Sequence, residues 1–241
     1  MNDLSAEIIT PVMLSLRVAS LAVVMVFFSG VLAARLMAGR HFPGKEVVES
    51  VLTLPLVLPP TVVGFGLLFL FGKDGPLGRL LESLWGVTVL FNWRGAVIAS
   101  AVVAFPLFYQ TVRASFQSVD KNIENAARTL GAGEWRVFWT ISLPLARPGL
   151  VAGLVMAFTR ALGEFGATLM LAGNIPGRTQ TVPLAIYAAT ETGDNRTALV
   201  LVGMITLLSF IVIFWVNLWH RHRLPGGRRT DEPTAALCED Q

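Results

Sequence analysis

Thr197 to Trp219 is a run of 23 residues without a formal charge. A helix needs about 20 residues to cross the hydrocarbon core of a bilayer. In lipid every backbone donor and acceptor must be satisfied internally, so a run of this kind is confined to a helix. Four further stretches share the character, at about 11–36, 47–71, 93–116 and 149–172. The first carries Arg17 near its start, and the second is uncharged after Glu49. Only 15% of the 241 residues are charged and the mean hydropathy is +0.62, whereas a soluble domain carries about a quarter charged residues. The expectation is an all-α polytopic membrane protein with five transmembrane helices in one domain, residues 1–219. No length is left for a second soluble domain. The remainder, 220–241, mixes Pro, Gly and charge and reads as a disordered tail. Cys238 has no second cysteine to pair with. The opening MNDLSAEIITP lacks a basic leader, so the first apolar segment is expected to stay in the protein.

The lysines and arginines set the orientation, because cytoplasmic loops are enriched in them. Arg35, Arg40 and Lys45 follow the first segment. Arg113, Lys121, Arg128, Arg136 and Arg147 lie in and around the loop after the third, and Arg221, Arg223, Arg228 and Arg229 in the tail. Opposite them are Lys73, Arg79, Arg94, Arg178 and Arg196, isolated or near acids. This places the N-terminus outside and the C-terminus inside. The stretch 173–196 has an apolar part, 182–189, too short to span. It is read as an external loop with a short helix. Leu80, Leu81, Leu84 and Trp85 mark a second external loop that rests on the membrane interface.

The one long polar island is DKNIENAARTLGAGEWRVFWTISLPLARP, 120–148. Ile123, Ala126, Ala127 and Leu130 recur at i, i+3, i+4 and i+7, one face of a short helix. Asp120 suits its cap, Glu124 its first turn and Gly131 a left-handed stop. A second short helix carries Trp135, Phe138 and Trp139, and Pro144 is expected to end it. The pattern Ala126-Ala127, then Gly131, then Ile141-Ser142-Leu143-Pro144 resembles the "EAA" cytoplasmic loop of bacterial ABC-importer permeases. Asn125 stands where that family has Glu, and the acid is displaced to Glu124. The resemblance implies the type I importer permease fold, with this loop forming coupling helices that dock on an ATPase subunit. The residues it marks are Glu124, Asn125, Ala126, Ala127, Leu130, Gly131, Ile141, Leu143 and Pro144.

Two sites lie at membrane depth. Pro55, Pro59 and Pro60 each remove a backbone donor, and broken backbone inside a membrane is tolerated only against protein or a water-filled cavity. Pro59, Pro60 and Thr61 are therefore candidates for a bent, pathway-lining helix, with a packing kink as the alternative. Arg160 and Glu164 are i, i+4 and share a helix face. Intramembrane charges turn inward or to water and mark pathways by default, the alternative being a structural ion pair. Gly163, Gly166 and Ala167 are small enough for close helix contact at a subunit interface.

The stretches LPLVLPPTVVG, RALGEFGAT and GNIPGRTQTVPLAIY resemble the molybdate permease family, with sulfate permeases the nearest relatives. What that resemblance implies is a subunit that imports molybdate across the bacterial inner (plasma) membrane by alternating access. It would act as a homodimer, with separate ABC ATPase subunits that use the ATP and a periplasmic molybdate-binding protein. Sulfate, thiosulfate or tungstate import by the same architecture is the alternative, and an ATPase-independent channel the remote one. The chain has no GxxxxGK[ST] loop to cradle ATP and no Cys/His cluster of metal-ligand type, so no cofactor or metal is expected on it. His41, His220 and His222 lie in basic stretches and do not form a catalytic set. The expected surroundings are the lipid bilayer, and no nucleic acid.

Overall fold

The computed structural model describes residues 2–39 and 42–221, and among them all regular structure is helical. The tail assigned to 220–241 lies outside these residues, apart from the last two positions of the final helix. The helices in order are α1 (Asn2–Ala38), α2 (Lys45–Val57), α3 (Pro60–Phe71), α4 (Pro76–Trp85), α5 (Trp93–Gln117), α6 (Lys121–Thr129) and α7 (Glu134–Val137). A π-helical turn, Phe138–Ser142, joins α7 to α8 (Leu143–Leu145). Then come α9 (Arg147–Leu162), α10 (Gly166–Ala172), α11 (Val182–Glu191) and α12 (Asn195–Arg221). The helices α1, α5 and α12 are each long and apolar enough to cross a membrane alone. Two bent pairs raise the number of spans by length and composition to as many as five: α2 with α3, bent by 117°, and 134–145 with α9, bent by 69°.

The axis of the bundle is α5, the one long helix that is mostly buried. Lipid tails are as apolar as leucine, so helices in a membrane associate through close packing and not through the hydrophobic effect. The core is built accordingly. Ala19, Ala22, Ala34, Ala96, Ala104 and Ala157 are fully buried. Phe108 of α5 fills the space that two glycines leave. A Cβ added at Gly30 would lie 2.4 Å from its Cδ1, and one at Gly153 would lie 3.1 Å from its Cδ2.

These contacts also set direction. Arg17 stacks over Trp93 at 4.0 Å, near the start of α5, while Gly30 meets Phe108 further along, so α1 and α5 run the same way. Gly149 of α9 meets Ser115 and Gly153 meets Phe108, so α9 runs back. The polar loop 120–148 therefore sits at one end of the bundle, and α4, α10 and α11 gather at the other.

Two expected elements differ in detail. The stretch 149–172 is not one helix: it stops at Leu162 and resumes at Gly166. Pro144 does not end the second short helix, because the chain stays helical to Leu145. The preceding π turn, in which the Leu143 N–H reaches back to the Phe138 carbonyl, admits the proline that an α-helical ladder rejects. The stretch 182–191 forms a helix of ten residues, about 15 Å long. The Val182 N–H donates to Ser15 Oγ at 2.7 Å, which fixes this helix against α1.

Candidate functional site

The loop 120–148 folds as two arms. Asp120 caps α6 by accepting the Asn122 N–H at 2.8 Å. Gly131 takes φ +85°, the left-handed conformation that only glycine adopts without strain, and this turns the chain into the second arm. The helix α6 is amphipathic, but its apolar stripe points away from the protein. Ile123, Ala126 and Leu130 are exposed, Leu130 at 88%. Trp135, at 75%, and Trp139 extend the exposed patch on the second arm, and their rings meet edge to face at 5.6 Å. Ala127, Ile141, Leu143 and Pro144 are half-buried, and Leu143 packs against the main core. A contiguous exposed apolar surface of this kind marks an interaction site.

Glu124 and Ser142 of the loop face inward. Glu124 accepts a short hydrogen bond from Ser142 Oγ and pairs with Arg35 at 3.4 Å and Arg128 at 3.6 Å. Arg128 also makes two hydrogen bonds to Glu134, at 2.6 and 3.2 Å, and one to Asn125 Oδ1 at 2.8 Å. These bonds hold the exposed Glu134 carboxyl below the ordinary carboxylate range. The arms are thus tied to each other through Arg128 and to α1 through Arg35. The sequence reading missed Arg35 and Ser142 as members of this group. A basic residue in the last turn of α1 was the available signal.

The membrane-depth candidates come together elsewhere. The α2–α3 break at Leu58–Pro59 lies directly against the α9–α10 break. A Cβ at Gly166 would lie 3.0 Å from Pro60 Cβ, and one at Gly64 would lie 2.8 Å from Ala167 Cα. Gly166 and Ala167, expected at a subunit interface, are therefore used within the chain, because only residues this small let the two broken helices touch. Each break solves the orphaned-donor problem differently. The first does so covalently, since Pro59 and Pro60 have no N–H to satisfy. The second uses Glu164, whose Oε1 accepts the Ala167 N–H at 2.9 Å and whose Oε2 pairs with Arg160 at 2.8 Å. The Glu164 side chain is 1% exposed and Arg160 is half-buried. Pro59, Pro60 and Thr61 are exposed on the outer face of the break.

Between α2 and the inner half of α5 runs a polar cavity of 510 Å³, lined in part by Glu49, Thr53, Gln110 and Arg113. Glu49 and Arg113 pair across it at 2.9 Å. No residue of α2 is buried, and this ion pair and the half-buried Leu52 tie that helix to the bundle. The sequence reading did not anticipate it, since the partners are 64 positions apart.

The chain belongs to the family of binding-protein-dependent transport system inner membrane components, whose pattern matches residues 10–224. It is 48% identical over 218 residues to a putative molybdenum transport system permease protein of Bacillus subtilis, covering 90% of this chain and 96% of that one. It is 47% identical to the molybdenum transport system permease protein ModB of Escherichia coli, covering 88% and 94%. A sulfate transport system permease protein of Synechococcus elongatus is 37% identical, covering 76% and 65%. Two solved structures share the fold. One is a bacterial ABC transporter that imports the acidic polysaccharide alginate, with a TM-score of 0.73 at 16% identity, covering 91% of this chain and 80% of that one. The other is the MetNI methionine ABC transporter in an inward-facing form, with a TM-score of 0.70 at 15% identity, covering 90% and 96%. The fold is that of an ABC importer's transmembrane subunit, and the protein is an inner-membrane component.

Proposed function

We propose that this chain is the permease subunit of an ATP-driven importer of molybdate. The observation that carries the reading is the inverted amphipathicity of the loop 120–148, joined to its likeness to molybdenum permeases. An apolar stripe turned outward on a short, capped unit is costly unless a partner covers it. The partner is a separate ATPase subunit, which uses the ATP; this chain binds no cofactor itself. Two copies of the chain line the pathway, and a periplasmic binding protein delivers the oxyanion.

The force enters at Ile123, Leu130, Trp135 and Trp139. It passes along α9, a helix of 16 residues and about 24 Å, to the paired breaks at Pro60 and Gly166. There the bundle switches between an outward-open and an inward-open packing. The exposed rim of Pro59, Pro60 and Thr61 faces the pathway, and Arg160 adds positive potential beside it. The oxyanion is held loosely, since a deep well would slow release. The cavity between α2 and α5 forms the inner vestibule.

The test is reconstitution with the ATPase and binding protein in vesicles, followed by uptake of labelled molybdate. ATP-dependent uptake suppressed by excess tungstate but not by excess sulfate is expected. Preferential suppression by sulfate reassigns the substrate, and uptake without the ATPase overturns the importer reading.

A further inference from the structure

Among the ion-paired residues of the coupling unit, Glu124 is the least exposed. Its side chain is 12% exposed and engages three elements at once: Arg35 at the end of α1, Ser142 in the π turn and Arg128 of its own helix. Arg35 is held a second way, its guanidinium lying 5.6 Å from the centre of the Phe138 ring. Phe138 in turn packs on Phe116 of α5 at 6.1 Å. Glu124 and Arg35 together join α1 to both arms of the loop.

We propose that Glu124 is a positioning residue that clamps the coupling unit to α1, so that the ATPase-facing surface and the membrane bundle move as one body. The site residue that the loop pattern marks for partner contact, Asn125, is exposed and bonded to Arg128. Its acidic neighbour is turned the other way. The division of labour follows from that geometry: the exposed stripe receives the ATPase, and the carboxylate behind it passes the displacement on. A carboxylate suits the task because hydrogen bonds to a charged acceptor are about twice as strong as neutral ones. It accepts hydrogen bonds from Ser142 and Arg35 and pairs with Arg128, so no single bond sets the angle of the arm. The Asp120 cap and the Gly131 turn bond only within the loop and do not supply this link.

This inference rests on the ATP-driven reading above, and the experiment separates the two. The full complex of permease, ATPase and binding protein is reconstituted, and molybdate uptake and ATP hydrolysis are measured on the same vesicles. The unsubstituted complex tests the functional reading: no ATP-driven uptake overturns that reading and the clamp with it. Given normal coupling there, Glu124→Gln, Arg35→Gln and the double variant test the clamp. Glu124→Gln keeps an acceptor for Ser142 and loses the ion pair, while Arg35→Gln leaves the loop itself intact and remains informative if the first variant assembles poorly.

The expected result is a fall of about fivefold in molybdate moved per ATP hydrolysed in each single variant, the size typical of changes along a coupling network. The double variant should fall no further than the singles, because both break the same link. A merely structural role lowers the amount of assembled complex and scales both activities together. An unchanged ratio in Arg35→Gln, or losses that multiply in the double variant, overturns the clamp.

Discussion

In the loop 120–148 an apolar stripe is exposed and Glu124 turns inward; at the paired helix breaks the small apolar groups are inside and one carboxylate is sealed among them. Ile123, Leu130, Trp135 and Trp139 lie open, while Glu124, Arg35 and Ser142 hold the unit from behind. At the breaks Gly64, Gly166 and Ala167 are buried and Glu164 is closed off with Arg160. The difference follows from the surroundings. On the function proposed above the loop stands in water, where an uncovered apolar stripe calls for a partner. The breaks interrupt stretches apolar enough to cross a membrane, where an unsatisfied donor costs several kcal/mol and contact depends on small residues.

Four measurements would break or sharpen that contrast. The largest effect is expected for Leu130→Asp. It places an unpaired carboxylate in the surface proposed for the ATPase and should weaken that binding by about 3 kcal/mol, more than a hundredfold. Leu130 is exposed, so the melting temperature of the permease alone should not move. Co-purification of the ATPase with this variant at wild-type yield would remove the stripe from the interface.

The next effect belongs to the breaks. Gly64→Leu forces side-chain atoms into the Ala167 backbone and should destabilise the isolated permease by about 2 kcal/mol, read as thermal unfolding in detergent. A wild-type melting curve would mean that the α3–α10 contact is not tight. Glu164→Gln should cost less, about 1 kcal/mol, because the amide oxygen still accepts the Ala167 N–H and Arg160 retains partial access to solvent. Glu164→Leu removes that acceptor as well and should unfold at a lower temperature than the Gln variant. Equal melting of the two would count against the capping role.

The smallest effect is in pH. The Glu134 carboxyl is depressed by its hydrogen bonds to Arg128. The stability it contributes is therefore present above the ordinary carboxylate range and lost as pH falls through its lower folded value. The tie between the two arms should loosen only in strongly acidic solution, and Glu134→Gln should abolish that part of the pH dependence. The measurement is tryptophan fluorescence of the Trp135–Trp139 pair across an acid titration. A transition that begins near neutrality would point to a different group.

Much of this was written in the chain at short range. Three of the apolar runs specify helices of membrane length. Asp120 and Gly131 specify the start and turn of the coupling unit, and the spacing of Arg160 and Glu164 specifies their pairing. Each follows from helical periodicity or from the conformations that one residue permits, so no knowledge of distant chain is needed. The proline break was equally legible, because a missing donor is a covalent fact.

The sequence also displayed the apolar stripe of α6, yet not which way it faces, and periodicity alone favours burial. Only the tertiary structure turned Glu124 inward, set Gly166 against Pro60 and brought Arg113 across to Glu49. Those pairings depend on the rotation of each helix about its axis and on which helices are neighbours. Both are fixed by the packing of small residues around Phe108, where the balance is among many weak contacts and no single residue announces the outcome.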